Sequence, residues 1–256
     1  MAYRASRRDW LRTMALGLPC ASVCLAQDAA QGKKEEFPAP PPIPEVKLLP
    51  DLTTVPVRRG DPEFNWHSVN IMVLPREKAG LWVLDFAYKP IRLRTVEVPG
   101  KGRRHIHYLY YRVVNRTGKP RAFTPEFFLV TETGKKYRDT VLPGAVKVIE
   151  TREDPTKMLR GAVDMMGILP PSGRKEGIDD AVFGVAMWEN IDPKADVYNV
   201  YVRGLSDGMK EIKNPDGKMV TRYKTLRLGF LKIGDDRDLN ENEIKLLDPP
   251  YEWIYW

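Results

Sequence analysis

Apolar and polar residues alternate along much of the chain after residue 60, and this period of two predicts β-strands. The strongest example is His105–Asn115, which is rich in aromatic and β-branched residues. Successive side chains of a strand point to opposite faces, so this strand is expected to present apolar residues on both. One face holds Ile106, Tyr108 and Tyr110, and the other holds Leu109, Tyr111 and Val113.

Further strands are predicted from short apolar runs that are bounded by turn residues. They are Ser68–Leu74, Leu81–Tyr88, Ile91–Val98, Phe123–Glu132, Ala181–Trp188, Val197–Leu205 and Arg222–Ile233. The alternation changes phase near Thr95, which predicts a β-bulge at that point. The aromatic end of the chain, Tyr251–Trp256, is expected to dock as an edge strand or to cover the core.

Turn chemistry separates these strands. Asn115–Gly118, Thr133–Lys135 and Asn214–Gly217 carry the glycine and asparagine residues that tight turns favour. Ala145–Arg152 is predicted as a short helix, which Asp154-Pro155 would end. Strands at this spacing, without a sustained helical period, favour an antiparallel β-sandwich over alternating strand–helix units.

One hairpin resembles that of bacterial immunoglobulin-like sandwich domains. Its first strand ends in NRTGKP (residues 115–120), the next carries FTPEFFL (residues 123–129), and GKKY follows at residues 134–137. The resemblance covers about 30 of the 256 residues. It implies a mainly β, immunoglobulin-like antiparallel sandwich with extra strands and a short helical or loop insertion. It implies nothing about activity, because such domains serve in adhesion, binding and structural roles.

The N-terminus resembles a twin-arginine export signal. Residues 6–12 read SRRDWLR, in which Arg7 and Arg8 are the paired arginines. Trp10 and Leu11 match the aromatic residue and the leucine of that signal. The resemblance implies transport by the twin-arginine translocase and a location in the periplasm or outside the cell.

An apolar run, Met14–Leu25, follows this motif. It is shorter than the roughly 20 residues that span a bilayer, so no stable transmembrane segment is expected there. Cleavage is expected after Ala26, which makes residues 1–26 the signal peptide. Lipid attachment at Cys20 or Cys24 is the alternative, but the residues before both cysteines fit such a site poorly. Both cysteines lie within the signal, so the mature chain is expected to have none.

Residues 27–60 are rich in proline, which predicts a largely disordered, extended linker. The folded domain is therefore expected to span residues 61–256.

The chain carries a net charge of +7, of which residues 1–26 contribute +3. Ten basic residues and one acid, Glu97, lie between Lys89 and Arg121. We interpret this basic segment as one solvated sheet face, and attraction of acidic polymers or membrane surfaces is the alternative.

Three histidines are candidate metal ligands. His105 and His107 lie two residues apart, so on a strand they point to the same face, and His67 is a possible third ligand. The neighbouring Lys101–Arg104 segment is mostly basic and repels a metal ion. A surface role is therefore the favoured interpretation of the pair, and no metal or cofactor is predicted.

Gly204–Gly208 matches the Gly-x-Ser-x-Gly pattern of hydrolases, with Ser206 at its centre. That mechanism needs a helix after the serine and a histidine later in the chain. Pro215 limits any helix, and His107 is the last histidine, so a turn after a strand is the favoured interpretation.

Two further patterns are open to a binding interpretation. Asp236, Asp238, Asn240 and Asn242 alternate like calcium ligands. However, Glu241 and Leu247 stand where such a loop needs glycine and glutamate.

Exposed tryptophans are the other pattern, because they can stack on sugars. Trp82 and Trp188 lie in apolar runs and are expected in the core, which leaves Trp66, Trp253 and Trp256 as candidates.

The sequence contains no intact catalytic motif. We therefore expect an exported, non-enzymatic protein that binds or scaffolds a protein or polysaccharide of the envelope or the extracellular space, and no nucleic acid. The alternatives are a metal-binding protein or enzyme that uses His105 and His107, and a carbohydrate-binding module that uses exposed aromatic residues.

Overall fold

The computed structural model describes residues 49–59, 65–75, 77–98, 100, 102–173, 175–234 and 243–256. These residues belong to one unit, Val46–Trp256. The predicted export signal, with Arg7, Arg8, Trp10 and Leu11, lies outside the described residues. The same holds for residues 27–48 of the predicted linker and for residues 236–242, which contain the calcium-like pattern.

The described residues form one helix, α1 (Pro143–Glu153), and fifteen strands. The strands before α1 are β1 (Val55–Arg58), β2 (His67–Ser68), β3 (Asp85–Tyr88), β4 (Arg92–Val98), β5 (Gly102–Val114), β6 (Arg121–Phe123), β7 (Glu126–Thr131) and β8 (Lys136–Arg138). The strands after α1 are β9 (Leu159–Arg160), β10 (Gly167–Leu169), β11 (Ile178–Glu189), β12 (Val197–Arg203), β13 (Met209–Lys213), β14 (Met219–Ile233) and β15 (Glu243–Tyr255).

The strands form a mainly β protein with several antiparallel sheets. The first sheet has the order β1-β11-β5-β3-β2, and β4 also pairs with β5, while β9 runs parallel to β11. The second sheet has the order β13-β14-β12-β7-β8, and β15 also pairs with β14. β6 and β10 form a separate pair. Pairing of β15 with β14 confirms that the aromatic C-terminal segment docks as a strand at the edge of a sheet.

A large apolar cluster joins one face of the first sheet to one face of the second. Tyr111 of β5 lies 4.7 Å from Phe127 of β7 between ring centroids, and Tyr88 of β3 lies 6.1 Å from Phe230 of β14. Leu109, Tyr111 and Val113 all belong to this cluster, as predicted for one face of β5. Burial of these large side chains is the main stabilising contribution to the fold.

A second apolar cluster lies on the opposite face of the first sheet. It contains Ile106, Tyr108 and Tyr110 of β5, which confirms the predicted division between the two faces. Helix α1 covers this face with its buried residues Ala145 and Ile149, and Leu142, the residue before the helix, joins the same cluster. The helix ends where predicted, because Asp154 before Pro155 takes an extended conformation, with φ −164°.

The predicted strand Ser68–Leu74 is wrong beyond Ser68. The backbone of Asn70 bonds to two side chains of β15 instead of to a strand: its amide binds the Tyr251 hydroxyl (3.1 Å), and its carbonyl accepts from Trp253 (2.9 Å). Ile71, Met72 and Val73 are consequently exposed, so an apolar run does not mark a strand here.

The predicted single strand Phe123–Glu132 is also wrong, because it forms two strands in different sheets. β6 pairs with β10, and β7 pairs with β12 and β8. Pro125, which cannot donate a backbone hydrogen bond, lies between them.

The predicted bulge near Thr95 is wrong as well, since β4 and β5 pair in continuous register. The change of phase arises because Leu93 is buried on one face of β4, while Val96 and Val98 belong to the cluster on the other.

Part of the predicted linker belongs to the folded unit. Leu52 is buried in the main cluster, and β1 (Val55–Arg58) pairs with β11. β1 lies at the edge of its sheet. Pro56, which has no backbone N–H to donate, is tolerated there because no further strand pairs with the outer side of β1. Proline content therefore placed the end of the linker several residues too late.

Candidate functional site

The structure places the three candidate histidines at two different cavities. His105 and His107 line one cavity, as their spacing on β5 predicts, and His67 lines another. The His105 Nδ1 lies 3.0 Å from the Thr95 hydroxyl, and the His67 ring packs 5.8 Å from that of Tyr88. Among the described residues there is no group of three His, Cys, Asp or Glu side chains that could hold a metal ion.

Ser206 lies in a turn after β12 and not at the start of a helix. Its hydroxyl donates to the Trp82 carbonyl (2.8 Å) and accepts from the Gly208 amide (3.1 Å). These bonds give Ser206 a structural role between the loop before β3 and the turn after β12. The Gly-x-Ser-x-Gly match therefore lacks the strand–helix context that a nucleophile requires.

The tryptophans divide differently from the prediction. Trp188 is fully buried, as expected, but Trp253 is also buried, because β15 packs it against the main cluster. Trp66 packs on Tyr110, with ring centroids 5.1 Å apart. Trp256 is half-buried and stacks on Tyr201 at 4.5 Å.

The basic segment Lys89–Arg121 does not form one solvated sheet face, so that interpretation is wrong. Its side chains lie in separate places because the segment spans β4, β5, β6 and the turns between them. Arg92 binds Glu153 of α1 (2.7 Å), and Arg103 lines the cavity that contains His105. Arg112 and Arg116, in contrast, line a cavity of about 610 Å³.

Two adjoining cavities form what we call the arginine groove. They have volumes of about 610 Å³ and about 370 Å³ and share Ile71, Asp85 and Arg116. The charged residues that line the groove are Arg58, Arg59, Arg112, Arg116, Arg121, Asp85 and Asp179. Three positive charges are therefore in excess along its described lining. The wall of the larger cavity contains residues of both apolar clusters: Val57, Val114 and Ala181 belong to the second, and Val69 and Phe86 belong to the first.

An ion-pair network organises the centre of the groove. Arg116 binds Asp179 (2.5 Å) and also Asp85, and Arg59 binds Asp179 (2.9 Å). Burial alone would raise the pKa of Asp179, but hydrogen bonds from Arg116 and Arg59 hold this pKa below its ordinary value. Burial raises the pKa of Asp85, against the opposing effect of Arg116. Hydrogen bonding to Asp179 raises the pKa of Arg116, so its guanidinium stays charged.

The turn after β5 fixes the position of Arg116. Asn115 is fully buried, and its side-chain amide donates to the carbonyls of Lys119 (2.8 Å) and Leu169 (2.9 Å). Its side-chain oxygen accepts from the Thr117 amide (3.0 Å). These bonds lock the turn, so the Arg116 side chain projects from a rigid base.

Aromatic rings lie beside two of the other arginines. The Arg121 guanidinium lies 5.0 Å from the centroid of the Trp82 ring, which lines the smaller cavity. Arg112 lies 5.0 Å from the centroid of the Trp66 ring. Guanidinium groups held in this way bind planar carboxylates through paired hydrogen bonds. The groove is therefore suited to an extended molecule that carries several carboxylates.

Sequence reasoning missed most of this site. Arg59 and Asp179 are 120 residues apart, and Arg59 lay in the predicted linker. The dense basic segment was the one available signal, and it included Arg112, Arg116 and Arg121.

The chain matches no protein-family model, and comparison with curated proteins and with solved structures likewise gives no match. No helix in the described part of the chain is both long enough and apolar enough to cross a membrane.

Proposed function

We propose that this chain is an exported, non-enzymatic binding protein that holds an acidic polysaccharide of the envelope or the extracellular space in the arginine groove. The observation that carries the proposal is the lining of two adjoining cavities by five arginines and two aspartates. In this proposal the twin-arginine signal directs export, and residues 27–48 separate the folded unit from the cleavage site. The fold is an immunoglobulin-like sandwich with added strands.

The electrostatics of the groove favour an anionic ligand. Asp179 and Asp85 neutralise part of the charge, and the remaining excess attracts carboxylates before contact and binds them after it. Since the network already fixes Arg116 and Arg59, little side-chain entropy is lost on binding there. Arg112 and Arg121 have aromatic neighbours, so they combine charge with a flat apolar surface.

The shape of the groove favours a polymer. A single small acid would fill only one of the two cavities, whereas a chain with a carboxylate on each sugar can contact both. The partly accessible Trp82 ring lines the smaller cavity beside Arg121, so a sugar whose carboxylate binds Arg121 would also contact this ring. A polypeptide with several acids offers the same charge without sugar rings, so it serves as the critical comparison.

Calorimetry with the mature chain tests the proposal. Polygalacturonate supplies one carboxylate per sugar, dextran supplies sugars without charge, and polyglutamate supplies charge without sugars. We expect saturable binding of polygalacturonate, weaker binding of polyglutamate and no binding of dextran. Arg112→Gln and Arg121→Gln should each weaken polygalacturonate binding about tenfold, the equivalent of about 1.4 kcal/mol.

The matched control is Lys218→Gln, which removes one exposed positive charge from the turn between β13 and β14. It should leave the affinity unchanged. Tighter binding of polyglutamate than of polygalacturonate would assign the groove to an acidic peptide instead, and equal binding would show that the sugar rings are not recognised. Equal losses in all three variants would show that only net charge matters, and would overturn the proposal.

A second candidate function, binding of an uncharged glycan, is favoured by the outer face of the second sheet. Trp256 stacks on Tyr201 and lies 5.4 Å from Phe128, with Lys136 4.1 Å from the Trp256 ring centroid. Both Tyr201 and Trp256 are partly accessible. Binding of dextran or cellulose that is lost in Trp256→Ala and kept in Arg112→Gln would select this face over the groove.

A further inference from the structure

The cavity that contains His105 and His107 has the features of a second, smaller binding site. It has a volume of about 310 Å³ and lies where the ends of β4, β5 and β11 meet β12 and β14. Ligand sites in proteins begin at about this size. It shares no lining residue with the arginine groove, so it is a separate site. We call it the histidine cavity.

Basic groups dominate the histidine cavity. Arg103, Arg104, His105, His107 and Lys232 line it, against one acidic lining residue among those described, Glu189. The Lys232 ammonium also lies 3.5 Å from Asp196 and donates to the Pro193 carbonyl (2.5 Å), which holds it in place.

The remaining lining residues are mostly apolar. Leu93 comes from β4, Ile191 and Pro193 from the loop after β11, and Tyr198 from β12. An inorganic ion would use only the charged side of such a cavity. A molecule with a charged group and an apolar body would use both sides.

His107 lines the histidine cavity, but most of its imidazole is buried beneath the cavity wall. His107 is 8% exposed, and its Nδ1 has no hydrogen-bond partner among the described residues. Desolvation by burial, with the positive charges of Lys232 and His105, lowers the pKa of His107 to about 4. An anion in the cavity would offset the charge of Lys232.

We propose that the histidine cavity binds a small organic acid. Its carboxylate lies among Arg103, His105 and Lys232, and its apolar body packs against Leu93, Ile191 and Tyr198. The site is independent of polysaccharide binding, and its ligand is of a different size.

Histidine NMR provides a direct test, because the whole chain has three histidines. Ring signals of His105 and His107 report on the cavity, while His67 lines a different one and serves as an internal control. The probes are benzoate, its uncharged analogue benzamide, and inorganic phosphate. We expect benzoate to shift the His105 and His107 signals saturably and to leave the His67 signal unchanged. Benzamide and phosphate should each bind at least tenfold more weakly.

Two variants separate the site from general charge effects. Arg103→Gln should weaken benzoate binding at least fivefold, and Lys218→Gln, remote from the cavity, should not. If Arg103→Gln does not fold, His105→Gln replaces it with the same expected loss. Arg112→Gln should keep benzoate binding, which makes failure of this proposal distinguishable from failure of the groove. Equal shifts with benzoate and benzamide, or equal shifts of all three histidines, would overturn the proposal.

Discussion

Lys224 of β14 and Glu77 form an ion pair, 2.9 Å long, in which the two side chains are only 1% and 3% exposed. The Lys224 ammonium also donates to the Met72 carbonyl (2.7 Å), and Glu77 accepts from the Tyr255 hydroxyl (2.9 Å) and the Leu74 amide (2.9 Å). The pair therefore ties the segment between β2 and β3 to β14 and β15. This segment carries Ile71, which both cavities of the arginine groove share.

Removal of one partner of this pair is expected to be strongly destabilising. Lys224→Met leaves the Glu77 carboxylate buried without its counterion and should reduce the free energy of unfolding by about 3–5 kcal/mol. The double variant Lys224→Met/Glu77→Gln leaves no unpaired charge, so it should be more stable than Lys224→Met alone. Urea unfolding of Lys224→Met, of Glu77→Gln and of the double variant measures the coupling between the two side chains. Additive losses would show that the two side chains do not act as a pair.

His107 is expected to make stability depend on pH. Its pKa is lowered to about 4 in the folded chain, mainly by burial, whereas an unfolded histidine titrates near 6.5. Between these values the unfolded chain binds the extra proton, so stability falls as the pH drops from about 6.5 to about 4. The loss amounts to about 3 kcal/mol for a difference of this size.

The measurement compares His107→Gln with the original chain by urea unfolding at pH 7 and pH 4.5. From pH 7 to pH 4.5, the free energy of unfolding of the original chain should fall relative to that of His107→Gln, because glutamine does not titrate. The comparison with His107→Gln is needed because Asp139 affects the pH dependence of stability in the opposite direction, and it does so equally in both chains. Burial raises its pKa to about 6, so its contribution to stability is present at low pH and is lost as the pH rises through that value. A constant difference between the chains at both pH values would contradict the prediction.

Glu153 is expected to hold α1 on the first sheet. It lies in the last turn of α1, where the helix dipole disfavours a negative charge, and its side chain is 2% exposed. Three donors stabilise the buried Glu153 carboxylate: the Tyr108 hydroxyl (2.8 Å), Arg92 (2.7 Å) and Lys89 (3.3 Å). Glu153→Gln should therefore cost about 2–3 kcal/mol, as expected for loss of charge-assisted hydrogen bonds.

Hydrogen exchange of the α1 amides would localise this effect, since they should exchange faster in Glu153→Gln. Tyr108→Phe should cost about 1 kcal/mol, because it removes one hydrogen bond. The matched control is Arg152→Gln, which alters an exposed neighbour in the same turn and should change stability by less than about 0.5 kcal/mol. Equal effects of Glu153→Gln and Arg152→Gln would show that the anchor contributes nothing.

Local sequence signals predicted the elements that depend on local physics. The alternation in β5, the proline that ends α1 and the Asn214–Gly217 turn each act within a few residues, and the structure contains all three. Predictions were wrong where distant residues decide. Asn70 is held by the side chains of Tyr251 and Trp253, about 180 residues away, so no pattern around residue 70 could reveal it.

The candidate site follows the same rule. The sequence located a concentration of positive charge, but it gave no information about which arginines share a cavity. Arg112 and Arg121 meet Trp66 and Trp82, respectively, only after the sheet has formed. His105 and His107 were placed together because a period of two is a local property of the strand, and their shared cavity confirms that expectation.

Gly184 is expected to be required in the centre of β11. It pairs with Tyr111 of β5, and a Cβ atom at this position would collide with the Tyr111 ring and the Met165 methyl group. Both of those side chains are fully buried, so they have little room to move. Gly184→Ala should therefore reduce the free energy of unfolding by about 1–3 kcal/mol, the range for overpacked cores.

A change at Tyr111 tests the physical cause of that loss. The Tyr111 hydroxyl is buried and has no hydrogen-bond partner among the described residues, so Tyr111→Phe should be close to neutral on its own. It also removes one of the atoms that the new Cβ would meet. Gly184→Ala should then cost less in the Tyr111→Phe background than in the original chain, as measured by urea unfolding of all four proteins. An unchanged cost in both backgrounds would mean that lost backbone freedom, and not crowding against Tyr111, explains the need for glycine.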